Sequence, residues 1–357
     1  MKELLSAWQS WLVEEIKPIA NELDGNSSKL KTTLKAMGDR SWLALKVPVE
    51  LGGSGLSELD YRLTQVELAR VSGALTFLQT QHQSAASMLG NSQNKSLQQQ
   101  FLPNMATGKA LMGVGFSHLR RRGIPMVSAI ETNSGYEISG KVPWITGYGF
   151  FSHFILGVTL EDDRELYGVL PFHNQTQAGG SITCSQPMEL MAIASTNTVS
   201  AKIDRWNLNS SLVVKIEPAG SVHQNSRGKI LNHGWYAIGC ALASLDILFV
   251  LAEKKQLDFL HQSWQSLSLQ VERCQQKAIS LTKDNNPSYE QKLKVRADAI
   301  NLAQRCSQAA VIAASGAANY LHSDAARIYR EALLFSVSGQ TTDVMETSIR
   351  RLITNKL

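Results

Sequence analysis

Apolar residues near the start of the chain (Leu4, Leu5, Trp8, Leu12, Ile16, Ile19 and Leu23) recur at spacings of three and four. That period predicts an amphipathic helix with one stripe turned to a core. Leu30, Leu34 and Met37 continue the helical period. Pro48 and the glycines 52, 53 and 55 then break the chain. Ser57 caps a new helix, and Asp60 three residues on completes a weaker form of the capping box. Leu63, Val66, Leu68, Ala69 and Val71 give that helix its buried face. Further helices are expected from Leu75 to Leu89 and from Lys95 to Met105, with Pro103 as a candidate break.

From about residue 109 the texture changes. ALMGVGFS, MVSAIE, GYEISGK, FSHFILGVTL, LYGVLPF and VSAKID are short, often alternating, and separated by Asn, Gly, Asp and Ser. They predict an antiparallel β region, a small barrel or sandwich, since no helices intervene as a parallel sheet would need. From about residue 225 the helical period returns. Trp235 to Gln270 is dense in Ala, Leu and Lys and runs on through Leu281 without an obvious break. A polar turn at LTKDNNPSYE follows, then a long helix from Glu290 to Tyr320, then one or two more with Gly339 as a break. Long helices joined by short turns predict a four-helix bundle. The expected class is α+β in three domains: helical over 1–108, β over 109–220, and a helical bundle over 221–357.

Composition narrows the function classes. With 43% hydrophobic and 18% charged residues the 357-residue chain has the makings of a folded core. The net charge of +5 is diffuse, and its densest basic run, Arg120-Arg121-Arg122, has no interleaved aromatic residue. No nucleic-acid partner is expected. No run of 18 apolar residues is present, so no membrane-spanning helix and no membrane partner are expected. Glu3, Glu14 and Glu15 interrupt the start, unlike a signal peptide. Four cysteines without a CxxC pair read as reduced core thiols of a cytoplasmic protein. Phosphate-loop and dinucleotide patterns fail: Ala110 follows Gly108-Lys109, and His118 stands where a third glycine would follow Gly113 and Gly115. The scattered histidines give no metal-binding pattern.

Four stretches in their order along the chain are similar to the acyl-CoA dehydrogenase family. Val47-Pro48 with Gly52-Gly53-Ser54-Gly55-Leu56 resembles its "P-E-x-x-G-G-x-G" loop. Phe101-Leu102-Pro103 with Gly108-Lys109 resembles the entry to its β domain. Gly140-Lys141-Val142-Pro143-Trp144-Ile145-Thr146-Gly147 is close to "G-x-K-x-W-I-T-N-G", and Arg330-Glu331-Ala332 with Gly339-Gln340-Thr341-Thr342 to "R-D-A" followed by "E-G-T-S". The resemblance implies FAD between the β domain and the bundle. Trp144, Ile145 and Thr146 fall at the isoalloxazine, Ser117 at its pyrimidine edge and Thr341 near the cofactor. It also implies α,β-dehydrogenation of an acyl-CoA or related small molecule, a homodimer or homotetramer, and an electron-transfer flavoprotein as partner.

Departures from the pattern bear on the chemistry. The family's catalytic glutamate falls on Gly339, which has no side chain. Some relatives carry it at the start of the bundle's first helix, and that place falls on His233, an imidazole able to act as a base near neutral pH. His82 lies on a helix that lines the family's substrate pocket. The acidic "T-E-P-x-x-G-S-D" loop reads Ser117-His118-Leu119-Arg120-Arg121-Arg122-Gly123, whose arginines could fork onto a pyrophosphate. A flavin monooxygenase or oxidase on the same fold, and a non-catalytic binding relative, are the alternative expectations.

Overall fold

The computed structural model describes residues 2–354. Helices fill the chain as far as Met105: α1 (Lys2–Trp11), α2 (Ala20–Gly25), α3 (Ser27–Asp39), α4 (Glu58–Val71), α5 (Gly73–Gly90) and α6 (Lys95–Met105). Ser57, Ser72 and Asn94 cap the last three, each accepting a bond from the backbone N–H three residues on. The first helix is not continuous to Leu23. It widens into a π turn at Leu12–Ile16 and tightens into a 3-10 turn at Lys17–Ile19, where Pro18 lacks the N–H an α ladder needs. Pro103 lies inside α6 without ending it.

Nine strands follow: β1 (Met112–Gly115), β2 (Val127–Thr132), β3 (Gly135–Ile145), β4 (His153–Leu160), β5 (Glu165–Pro171), β6 (Gln175–Gln177), β7 (Gly180–Cys184), β8 (Val199–Asn209) and β9 (Val213–Glu217). They form one sheet in the order β6-β7-β8-β3-β2-β4-β5-β9, with β1 beside β4. Most pairings are antiparallel, as the alternation predicts. β1 and β2 run parallel to β4, so the sheet is mixed. Parallel pairing is set by where long connections lead, and alternation within a strand carries no record of that. Between Val142 and Ile145, β3 holds one residue more than β8 does opposite, from Ala201 to Val199. This bulge absorbs Pro143 and Trp144. It keeps Val142 and Ile145 both in the core and leaves Trp144 47% exposed.

Helices return with α7 (Ser221–Gly228), α8 (Asn232–Lys255), α9 (Asp258–Lys283), α10 (Tyr289–Ala314), α11 (Asp324–Val337) and α12 (Thr342–Thr354). The stretch expected to run unbroken to Leu281 is two helices, because Gln256 takes left-handed backbone at φ 52° and closes α8. By length and composition α8 could cross a membrane, contrary to the sequence expectation, yet 67% of its most apolar window is buried inside the bundle. That is the profile of a central core helix.

The N-terminal helices hold the other two regions in register. Trp8, Trp11 and Trp42 share a core with Ile145 and Phe154 of the sheet, while Val66 and Ala69 of α4 join the bundle core. A buried polar latch adds to this. Arg330 of α11 pairs with Asp24 of α2 at 2.7 Å, and Asp24 accepts from Ile193 N at 2.9 Å. Glu331, fully buried, accepts from Arg327 at 2.9 Å and from Gly73 N at 3.0 Å, at the head of α5. A Cβ on Gly73 would stand 2.7 Å from the Glu331 carboxyl carbon, so only glycine lets the carboxylate close on that helix end.

Candidate functional site

The sheet side of the site is built by β1 running past the end of β3. A Cβ on Gly113 would lie 3.3 Å from Thr146 O, and one on Gly115 3.3 Å from Ile145 Cγ1. Two residues further, Ser117 opens a 3-10 turn, Ser117–Arg120, packed on β3 and β4. Ser117, Trp144 and Thr146 therefore gather at one end of β3. The buried Thr146 hydroxyl shares a 2.9 Å bond with Thr198. The Ser117 hydroxyl and Trp144 indole N–H bond to nothing among the described residues. Ile145 points into the core and offers this patch only backbone. Within the turn, His118 donates from Nε2 to Gly157 O at 2.9 Å, and burial pulls its pKa down to about 4.

The bundle side is built by the first turn of α8 and the segment after α11. His233 and Gly339 meet there: a Cβ on Gly339 would lie 2.5 Å from His233 Nε2, and the residue holds φ at +57°. An imidazole from α8 thus fills the place from which a side chain at 339 would project. Arg296 of α10, 1% exposed, stands behind this pair. It donates to Ile230 O at 3.0 Å, Ser338 O at 2.6 Å and Gly339 O at 3.3 Å, stapling the turn to the entry of α8. No carboxylate pairs with it among the described residues. Its Nε and the shielded Nδ1 of the half-buried His233 have no bond.

The local field is strongly positive. Burial, with Arg120 adding, pulls Arg296 down to about 10. Burial first, then Arg296, Arg120 and Arg62, holds the His233 pKa well below its usual value, so the ring is neutral at pH 7. Arg62 of α4 pairs with Glu58 at 2.6 Å and lies 5.2 Å over the Tyr61 ring. Tyr236 meets His233 edge to face at 5.5 Å and turns its hydroxyl toward Thr80 and Arg62. Arg120, half-buried, makes no hydrogen bond or ion pair among the described residues. Its positive charge adds to the downward shift of both His233 and Arg296.

Other expected residues have structural work. Thr341 accepts from Val344 N at 3.3 Å and caps α12, two residues from Gly339. His82 is fully buried. Met112 N donates to its Nδ1 at 3.0 Å and its Nε2 faces Met105 O at 3.1 Å, so both nitrogens are satisfied with the proton on Nε2. Arg62, Arg296 and Tyr236 were not anticipated. A signal did exist: Arg296 sits on the apolar stripe of α10 with Ile300 and Ala303, and Arg62 on that of α4 with Val66 and Ala69. Two grooves, of ≈ 190 and ≈ 660 Å³, open elsewhere, between α10, α11 and α12, and no expected site residue lines them.

Comparison with known proteins fits this architecture. Residues 1–109 match the family model "Acyl-CoA dehydrogenase, N-terminal domain". Mitochondrial isovaleryl-CoA dehydrogenase of Pongo abelii is 27% identical over 152 residues, 41% of this chain but only 36% of that protein. Mitochondrial short-chain specific acyl-CoA dehydrogenase of Rattus norvegicus is 23% identical over 359 residues, 94% of this chain and 85% of that protein. The chain is thus similar to acyl-CoA dehydrogenases over most of its length, and its first 109 residues match the N-terminal domain of that family. The fold recurs in butyryl-CoA dehydrogenase from Megasphaera elsdenii (TM-score 0.80, 15% identity, 99% of this chain and 97% of that one). It also recurs in KijD3 in complex with FMN (TM-score 0.74, 16% identity, 99% and 93%).

A flavin needs an apolar wall and a few placed hydrogen-bonding groups. The exposed Trp144 indole, the unpartnered Ser117 hydroxyl and the Thr146–Thr198 hydroxyl pair offer those at one end of β3. The residues present fit such a ring.

Proposed function

We propose that the protein is a flavin-dependent oxidoreductase of the acyl-CoA dehydrogenase type, holding FAD against Trp144 and Ser117 and taking an acyl thioester at the junction of sheet and bundle. The single observation that carries this reading is His233 seated against Gly339, which returns a proton-accepting group to the spot where the family's glutamate is missing. A bound flavin would supply the hydride-accepting ring. The chain supplies the rest. Neutral His233 accepts a proton from the carbon next to the thioester carbonyl. Arg296 and Arg120 stabilise the negative charge left on that carbonyl. The same cations oppose the positive charge the imidazole gains, so His233 is a weaker base than a carboxylate of ordinary setting.

Partners follow from surface and fold. A folded monomer of 39.2 kDa exposes about 14,000 Å², whereas this chain exposes 17088 Å². Ile312, Tyr329, Leu333, Val337 and Leu352 leave an apolar face on the bundle. A homodimer or homotetramer in the cytoplasm covers that face, and an electron-transfer flavoprotein reoxidises the flavin.

The test is the spectrum of the purified protein. Visible flavin absorbance is expected, with anaerobic bleaching by an acyl-CoA that His233→Ala abolishes. Unchanged bleaching in that variant clears the imidazole of the role. Absence of flavin, and no uptake of added FAD, removes the redox reading. A second reading is favoured by Gly339 itself: without a carboxylate there, the site suits oxygen chemistry on a reduced flavin, or binding alone. A flavin that reoxidises in air but never bleaches with acyl-CoA would select it.

A further inference from the structure

A neutral imidazole accepts a proton only at the nitrogen that holds its lone pair, and the partner of the other nitrogen decides which one that is. Neither nitrogen of His233 makes a hydrogen bond among the described residues. Their surroundings differ. The Nε2 end of the ring abuts Gly339, where an added Cβ would stand 2.5 Å from Nε2, 2.6 Å from Cδ2 and 3.0 Å from Cε1. Of the two nitrogens only Nδ1 is shielded from solvent. Arg296 can take no proton from it, being a donor throughout, and it already draws on the carbonyls of Ile230, Ser338 and Gly339. What stands against His233 is an aromatic ring. Tyr236, one turn on along α8, meets the imidazole at 84° with centroids 5.5 Å apart. That ring is buried and held in place: it lies 6.0 Å from the Phe335 ring, and its hydroxyl is engaged with Thr80 and Arg62.

We propose that Tyr236 is a positioning residue that sets the tautomer of His233: its ring face receives the Nδ1–H edge, and the lone pair is left on Nε2 beside Gly339. The electrostatics of an edge-to-face contact select this form. An aromatic face is negative and the rim of a ring positive, so an N–H edge is drawn to the face and a lone pair is pushed off it. The bond is weak. It suffices because it is weighed only against the other tautomer, whose Nδ1 lone pair would be buried on the same face without a donor. Nε2 then presents an acceptor to the space beside Gly339, and Tyr236 acts through the imidazole alone. What Nε2 accepts rests on the function proposed above; the tautomer stands without it.

The test is a long-range proton–nitrogen NMR spectrum of the purified, histidine-labelled protein at pH 7, which tells a protonated ring nitrogen from a bare one. His233 is assigned by the signal that His233→Gln removes. Tyr236→Phe keeps the ring face and drops the hydroxyl, and Tyr236→Leu drops both; circular dichroism shows that each is folded. The unmodified protein and Tyr236→Phe are expected to carry the proton on Nδ1. In Tyr236→Leu the ratio of Nδ1–H to Nε2–H is expected to fall about threefold or more. The rate of flavin bleaching by an acyl-CoA should fall with the Nδ1–H share. A proton on Nε2 in the unmodified protein overturns the proposal. So does a Tyr236→Leu protein that keeps Nδ1–H. So does a Tyr236→Phe protein that loses it as fully as Tyr236→Leu, since the hydroxyl and not the ring face would then be in charge. If Tyr236→Leu does not fold, the proton position in the other two decides. If the spectra come out as expected and no acyl-CoA bleaches the unmodified protein, the function proposed above falls and the tautomer stands.

Discussion

Two clusters of buried charge in this molecule use the same residue types to opposite ends. At the latch between α2, α5 and α11, every cation meets its anion: Arg330 has Asp24 at 2.7 Å and Arg327 has Glu331 at 2.9 Å. At the junction of sheet and bundle, Arg296 is buried and Arg120 half-buried, and neither forms an ion pair among the described residues. The histidines divide in the same way. His82 has both ring nitrogens bonded, whereas His233 keeps a shielded Nδ1 without a partner. A cluster that closes on itself stabilises the fold. One that stays open holds its charge at a cost to the fold.

That contrast can be broken first at the latch. Glu331→Ala takes the buried anion from Arg327, leaving it only the exposed Asp324 at 3.3 Å, and strips the bond from Gly73 N, so a loss of about 3 kcal/mol in urea unfolding is expected. Arg296→Met breaks no ion pair and leaves carbonyls short of a donor, so about 1–3 kcal/mol is expected. A reversed order would erase the distinction.

Acid provides the next test. The pKa values of His82 and His118 are both pulled down to about 4 by burial. Their ordinary value is 6.5, so the unfolded chain takes up protons that the folded chain refuses. Stability is full above pH 6.5 and falls as pH drops toward 4, by on the order of 3 kcal/mol per histidine. Denaturation midpoints at pH 7, 5.5 and 4.5 measure this, and His82→Gln should flatten the slope. A curve rising toward acid would contradict the assigned neutral rings.

Gly339→Ala addresses the junction itself. The new methyl meets His233 in left-handed backbone, so about 1–3 kcal/mol is lost. Removing the imidazole as well should recover part of that, which a double-mutant cycle reads as coupling between the two positions. Independent, additive losses would mean that the two residues do not share one space. The smallest effect belongs to Arg120→Gln. With no bond to break, its effect on stability is expected within about 0.5 kcal/mol. The His233 pKa, followed by its ring-proton shifts, should rise once that nearby positive charge is gone.

Much of the architecture is legible in the residue pattern. The helical, β, helical order follows from where period 3.6 gives way to alternation, and Ser57 marks a helix start that its hydroxyl caps. The parallel pairs around β4 and the break at Gln256 leave no such mark, because one is a property of connections and the other of a single left-handed residue. At the site, Gly339 and His233 are each nameable from motif position, but their contact joins residues 106 apart in sequence. Arg62 and Arg296 hide among ordinary helical charges until one notices that they interrupt apolar stripes.

The extra residue in β3 has a consequence for anyone reading homologous strands by eye. Side chains alternate strictly along a pleat, so Trp144, two positions after the inward Val142, ought to face inward. The bulge resets the count and gives that inward slot to Ile145. Were residues 142–145 held in unbroken register with β8, the indole and the isoleucine would trade sides. Whatever ring stacks on this sheet owes its stacking surface to a single uncounted peptide unit.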